Sequence, residues 1–185
     1  MPQLLALSAS PSTTSRTALV ADLVVDRLHL GGFAASHLAV RDLPAADLLA
    51  ARADADGIRE AVSAVAEADG IIVATPVYKA SYSGLLKVFL DLLPQDGLAG
   101  KTVLPLVTGG SLAHVLAIDY ALRPVLTALG ASHVTAGRFL LDSHVERLPH
   151  GGRLHPGAAE GLAQAVDEFV DALPARPLLS AAAPL

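Results

Sequence analysis

Apolar and polar residues fall in blocks along this chain, and the spacing inside the blocks changes from one to the next. Residues 3–7 form a short apolar run ending in a Ser-Pro turn, which predicts a buried strand. From Ser15, apolar residues at Ala18, Leu19, Val24, Val25 and Leu28 recur with helical spacing until Gly31 and Gly32 stop them. Residues 34–40 predict a second strand, its pattern interrupted by His37. Residues 56–68 carry the helical recurrence Ile58, Val62, Val65, with Asp54 or Asp56 placed to cap it. Residues 70–75 are the clearest strand, closed by Pro76. Ser83 caps a predicted helix through Leu93, ended by Pro94. Residues 101–107 predict a strand, 112–129 a long helix closed by Gly130, 133–140 a fifth strand and 161–173 a final helix.

Strands alternating with helices predict a parallel sheet covered on both faces. Five such units fit an α/β three-layer sandwich with the flavodoxin-like strand order 2-1-3-4-5. No internal repeat or second domain is visible, so residues 1–173 are expected to form one domain. Residues 174–185, with three prolines and an alanine run, are expected to be a flexible tail or an arm laid on a neighbouring subunit.

Composition narrows the partners. Hydrophobic residues make up 52% of the 185 positions, and the mean hydropathy of +0.51 is high, which suits an oligomer interface. No apolar stretch approaches the ~20 residues of a membrane span, and the first residues lack a secretory pattern, so a cytoplasmic address is expected. A net charge of −5 disfavours a nucleic-acid footprint. The absence of cysteine excludes disulfides and thiol chemistry.

Three polar stretches follow three of the predicted strands: Ser8 to Thr17, Thr75 to Lys79, and Thr108 to Gly110. In an open α/β sheet, ligands bind beyond the carboxyl ends of the strands, so these are three walls of one candidate pocket. The first carries seven hydroxyls and Arg16 at the start of a helix, where unpaired amides favour an anion. Ser10, Ser15, Arg16 and Thr17 are the candidate phosphate ligands. The Ser8–Thr17 loop carries no Gly-Lys-Ser/Thr, and the chain has no Gly-x-Gly-x-x-Gly, so neither a triphosphate loop there nor a dinucleotide fold is indicated. Backbone groups of Pro76, Val77, Tyr78 and Lys79 can read the edge of a flat heterocycle, with Tyr78 or Tyr82 alongside its face. Thr108, Gly109 and Gly110 allow close backbone approach. A phosphate cradle beside a slot for a ring points to flavin mononucleotide (FMN).

The segments from Ala74 to Gly84, Val103 to Gly110 and Asp119 to Leu126 resemble the NADPH-dependent FMN reductases of the flavodoxin-like superfamily, most closely the reductase partners of two-component alkanesulfonate monooxygenases. The likeness spans roughly residues 4–143. One departure is Ala9, where the family commonly has glycine. The resemblance implies a homodimer or homotetramer with FMN at a subunit interface and NADPH or NADH as reductant. It also implies a flavin-dependent monooxygenase as recipient of the reduced flavin. Pro124 leaves the carbonyl of Tyr120 without a helical partner, a defect that a π-bulge can relieve; the alternative is a simple proline kink with Tyr120 packed in an interface. In the family, a tyrosine at this position is inserted in a π-helix and favours reversible flavin binding.

Hydride transfer between nicotinamide and flavin needs no side-chain acid or base, so no catalytic pair is expected. Lys79 is a candidate for electrostatic support of the reduced ring or for contact with a nucleotide phosphate. The seven histidines lack a metal-binding pattern, and Asp142-Ser143-His144 lacks the spacing of a hydrolytic triad. The competing readings are a flavodoxin-like electron carrier and a quinone or azo reductase that keeps FMN tightly bound.

Overall fold

Each apolar run is a strand whose odd and even residues serve different cores. The computed structural model describes residues 2–174. Strand β1 (Gln3–Ser8) sends Leu4 and Ala6 to one side and Leu5 and Leu7 to the other. β3 (Gly70–Pro76) divides Ile72 and Ala74 from Ile71 and Val73 in the same way, and β4 (Thr102–Gly109) divides Leu104 and Leu106 from Val103 and Val107. A strand buried on both faces has no polar alternation, which is why these runs read as continuous. Helices α1 (Arg16–Leu30) and α6 (Pro156–Asp171) cover one face. The other is covered by α3 (Asp56–Glu67), α4 (Gly84–Leu90) and α5 (Arg123–Ala128), with the short α2 (Ala45–Leu49) beside them.

The sheet is parallel in the predicted order: β2 (Ala34–Ala39), β1, β3, β4, then a fifth position. That fifth position is not one strand over 133–140. It is split into β5 (His133–Val134) and β6 (Arg138–Leu141), both paired to β4. The cause is Pro105. Val103 O accepts from Thr135 N at 3.0 Å, so Val103 and then Pro105 face the fifth strand, and Pro105 has no N–H to offer. Pairing runs Val103 with Val134 and resumes at Leu106 with Arg138, one residue out of step. The surplus residue is a bulge at which Gly137 takes φ +77. Arg123 satisfies the carbonyls freed there, donating to Val134 O at 2.8 Å, Thr135 O at 3.0 Å and Ala136 O at 3.3 Å.

The long helix expected over 112–129 is also in pieces. Leu112–His114 is a 3₁₀ turn, Ile118–Leu122 a π-helix, and only α5 is α-helical. The π-turn lies where Pro124 required it, with Arg123 N–H bonded to Ile118 O, five residues back. Other boundaries moved for local reasons. Neither Asp54 nor Asp56 caps α3, whose N-cap is Ala55 without a side-chain bond. α4 ends at Leu90, and 3₁₀-type bonds from Leu92 to Phe89 and Leu93 to Leu90 carry the chain to Pro94. α6 begins at Pro156, five residues before the predicted start, because a proline at the first position is pre-set for a helix. Between 144 and 157, where no element was predicted, β7 (Val145–Arg147) pairs with β8 (Gly152–Leu154) as a hairpin. The tail expectation falls, save for Pro174, outside the described residues. No described helix is long and apolar enough to cross a membrane.

A Cβ on Gly137 would sit 2.5 Å from Pro105 O with its φ still positive. Gly137→Ala should therefore cost about 2–4 kcal/mol in urea unfolding. A loss below ~0.5 kcal/mol would mean that the bulge is not locked against Pro105.

Candidate functional site

Ser15 ends the loop after β1 and caps α1, its Oγ accepting from Ala18 N at 3.0 Å. Among the described residues the amides of Arg16 and Thr17 take no protein acceptor, so they stay available at the positive end of a 15-residue helix. Upstream, Ser10 Oγ accepts from Ser12 N at 3.3 Å and Ser12 Oγ from Thr14 N at 3.2 Å, which winds the loop around its own hydroxyls. Ala9, 0% exposed, donates its N–H to Ala74 O and is not among the residues with positive φ, so the methyl that replaces glycine fits.

Three arginines fasten this loop from three directions. Arg16 donates Nε to Val145 O at 3.3 Å, Arg147 donates to Ser15 O at 3.3 Å, and Arg41 donates to Ser12 O. Arg41 and Arg147 were not singled out in the sequence, because each lies far from the loop along the chain. They leave the loop ringed with positive charge. Behind it, Ser8, His37 and Asp22 form a row: His37 Nε2 is 2.8 Å from Ser8 Oγ and Nδ1 is 2.7 Å from Asp22 Oδ1. With Ser8 1% exposed, this row pins β2 and α1 to the end of β1 and accounts for the polar residue that interrupted the β2 pattern.

The other walls are bolted to the first. Thr17 Oγ1 and Thr108 Oγ1 lie 2.7 Å apart, both buried. Ser83 Oγ donates to Ala9 O and accepts from Leu86 N, so one hydroxyl both caps α4 and ties it to the exit of β1. Thr75, 0% exposed, accepts from Ser83 N at 2.9 Å, and Val77 N donates to Thr108 O at 2.8 Å. The exits of β1, β3 and β4 are thus one rigid rim.

That rim encloses a cavity of about 190 Å³ lined by Ser10, Ser15, Arg16, Thr17, Pro76, Val77, Tyr78, Thr108 and Gly109 from the predicted set. Three further residues complete the lining: Ser12, Thr14 and Asp142. Asp142 follows β6, so the strand-exit rule that found the other walls would have found it if applied to the fifth strand. Gly110 stands just outside, its Cβ direction 4.0 Å from Asp142 Oδ2. Tyr78 lines the cavity, whereas Tyr82 packs against the core.

Lys79 does not line it either, but sits exposed on a turn closed by Tyr78 N to Ser81 O at 2.9 Å and Ser81 N to Tyr78 O at 3.1 Å. Lys79 and Ala80 have φ of 51 and 62, left-handed values that cost non-glycine residues of order 1–3 kcal/mol each. This strain is stored at the mouth of the cavity. The other two lysines are committed elsewhere. Lys87 pairs with Asp91 at 2.6 Å, which raises its pKa. Lys101 donates to Ala66 O and Ala68 O at the end of α3, where burial pulls its pKa below the ordinary lysine value. Tyr120 stands 79% exposed on the π-helix, among the exposed Leu112, Val115 and Leu116. Of the residue types considered for other chemistry, His144 stacks on His155 at 5.3 Å and His150 is exposed in the β7–β8 turn.

The sequence profile described as NADPH-dependent FMN reductase matches residues 2–146. An FMN reductase (NADPH) of Escherichia coli K12 is 42% identical over 171 residues, covering 92% of this chain and 90% of the relative. One from Pseudomonas putida KT2440 is 50% identical over 139 residues, covering 75% of this chain and 71% of the relative. The apo crystal structure of the NADH:FMN oxidoreductase EmoB superposes with a TM-score of 0.88 at 43% identity, over 96% of this chain and 92% of that one. This chain belongs to the family of NADPH-dependent FMN reductases.

Proposed function

We propose that the chain reduces FMN with a nicotinamide nucleotide at the rim of the sheet and releases the reduced flavin to a flavin-dependent monooxygenase. The observation that carries this reading is the pairing of a free helix N-terminus with a slot between two strand exits in one cavity. The donor set fits the ligand: amides of Arg16 and Thr17, hydroxyls of Ser10 and Ser15, and the Arg16 guanidinium suit a phosphate dianion. Pro76, Val77 and Tyr78 on one side and Thr108 and Gly109 on the other bound a flat space for the isoalloxazine. When bound, the flavin supplies N5 as acceptor of the hydride from nicotinamide C4. The protein's share is positional. Its loop fixes the phosphate and its backbone aligns the ring for attack. Lys79, on the strained turn, places a positive charge near the ring edge without entering the cavity.

A cavity of about 190 Å³ is below the roughly 300–1,000 Å³ of a complete ligand site. It accommodates the phosphate and chain of FMN and leaves the ring over an open rim. Tyr78 on that rim, and Leu112, Val115, Leu116 and Tyr120 in the segment that leaves β4, are all 44–79% exposed. A second copy of the chain laid on this face would bury them and close the site, giving the homodimer or homotetramer that the sequence resemblance implies. The π-turn at Ile118–Leu122 then sits in the contact, a feature often found at functional sites.

Ser15→Ala combined with Arg16→Ala should raise the FMN dissociation constant at least tenfold in a fluorescence titration, about 1.4 kcal/mol. An unchanged constant would remove the phosphate from the α1 loop and the reading with it. Deleting Tyr120 should convert the π-turn to regular helix, so that the protein purifies yellow and turns over free FMN more slowly. A deletion variant that stays colourless and keeps its rate would refute the assigned role in release.

A further inference from the structure

Arg138 is the one described arginine for which no hydrogen bond or ion pair is found among the described residues; the others are committed to carboxylates or to backbone carbonyls. The Arg138 guanidinium lies against the backbone of α6 at Gly161, where a Cβ would overlap it, so a glycine at this helix position is what admits it. Arg138 opens β6, the free edge of the sheet, and a cavity of about 260 Å³ runs along that edge. Leu112, Phe139 and Leu141 give it an apolar lining, and the rings of His144 and His155, stacked and inclined at 20°, line it too. No carboxylate lines it.

This groove adjoins the flavin cavity through two shared walls. The single turn Asp142–His144 puts Asp142 in the flavin cavity and His144 in the groove. Likewise the chain leaving β4 puts Gly109 in the first and Leu112 in the second. A dinucleotide with its nicotinamide over the flavin therefore has a neighbouring trough for its other half. A guanidinium left without a partner among the described residues suits a terminal phosphate, because its planar fork can take two oxygens at once. Each neutral imidazole adds one N–H donor.

We infer that this groove is the subsite for the adenosine 2′-phosphate of NADPH, and that Arg138 makes the chain prefer NADPH to NADH. The inference rests on the reductase reading above and adds what that reading leaves open, since relatives named for NADPH and for NADH both match this chain.

The test compares the two coenzymes within one preparation, so that a partly unfolded fraction cancels. In Arg138→Ala the ratio of kcat/KM for NADPH to that for NADH should fall about tenfold or more, and Arg138→Lys should restore only part of it. Independently of turnover, adenosine 2′,5′-bisphosphate titrated calorimetrically should bind the unmodified protein at least tenfold more tightly than AMP. That advantage should vanish in Arg138→Ala. An unchanged coenzyme ratio, including an equal loss with both coenzymes, or equal affinity for the two nucleotides in the unmodified protein, would overturn the assignment. Failure of the unmodified protein to reduce FMN with either coenzyme would instead overturn the reductase reading.

Discussion

Two buried hydrogen bonds made by side-chain hydroxyls decide where ligand chemistry can happen in this fold. Thr17 meets Thr108 at 2.7 Å, which joins the first turn of α1 to the exit of β4, and Ser83 joins the start of α4 to the exit of β1. Strand exits are loops, and loops left to themselves are mobile. Hydrogen-bonded across the rim and shielded from water, these loops become a fixed frame in which the unpaired amides of α1 and the slot beside Pro76 hold a constant separation. A rigid anion site next to a rigid slot selects a phosphorylated planar molecule. Weakening the frame would blur that selection without removing any single ligand contact.

Around this frame the chain tolerates two prolines in places that regular structure forbids. Pro105 breaks the pairing of the fifth strand, and Pro124 breaks the following helix into a π-turn and α5. The two defects are linked through one residue. Arg123 sends its N–H five residues back to Ile118 O and its guanidinium to three carbonyls left bare by the bulge. Asp119, four residues earlier, holds the same guanidinium at 2.9 Å. A change of register in the π-turn would move Arg123 and so disturb the bulge between β5 and β6.

What the sequence made legible follows from periodicity. Both-face burial makes β1, β3 and β4 readable as unbroken apolar runs, and the rule that ligands sit at strand exits led directly to Ser10–Thr17, Pro76–Tyr78 and Thr108–Gly109. Pro124 announced the π-turn because its missing N–H has only a few structural remedies. What stayed hidden depends on contacts distant in sequence. Arg41 and Arg147 reach the phosphate loop from elements nowhere near it in the chain, and the Asp22–His37–Ser8 row joins α1, β2 and β1. The split of the fifth strand was signalled by Pro105, but on its neighbour, not on the strand itself. The β7–β8 hairpin and the early start of α6 lie in Gly/Pro-rich sequence, where propensity is weak and tertiary packing decides.

The central claim is that a phosphate, seated on the opening turn of α1, anchors the flavin. Riboflavin carries the same ring and ribityl chain without that phosphate, so comparing its dissociation constant with that of FMN on the unmodified protein isolates the anchor. Riboflavin should bind at least tenfold more weakly, with the difference shrinking as salt is raised. Equal affinity for the two, independent of salt, would contradict the account.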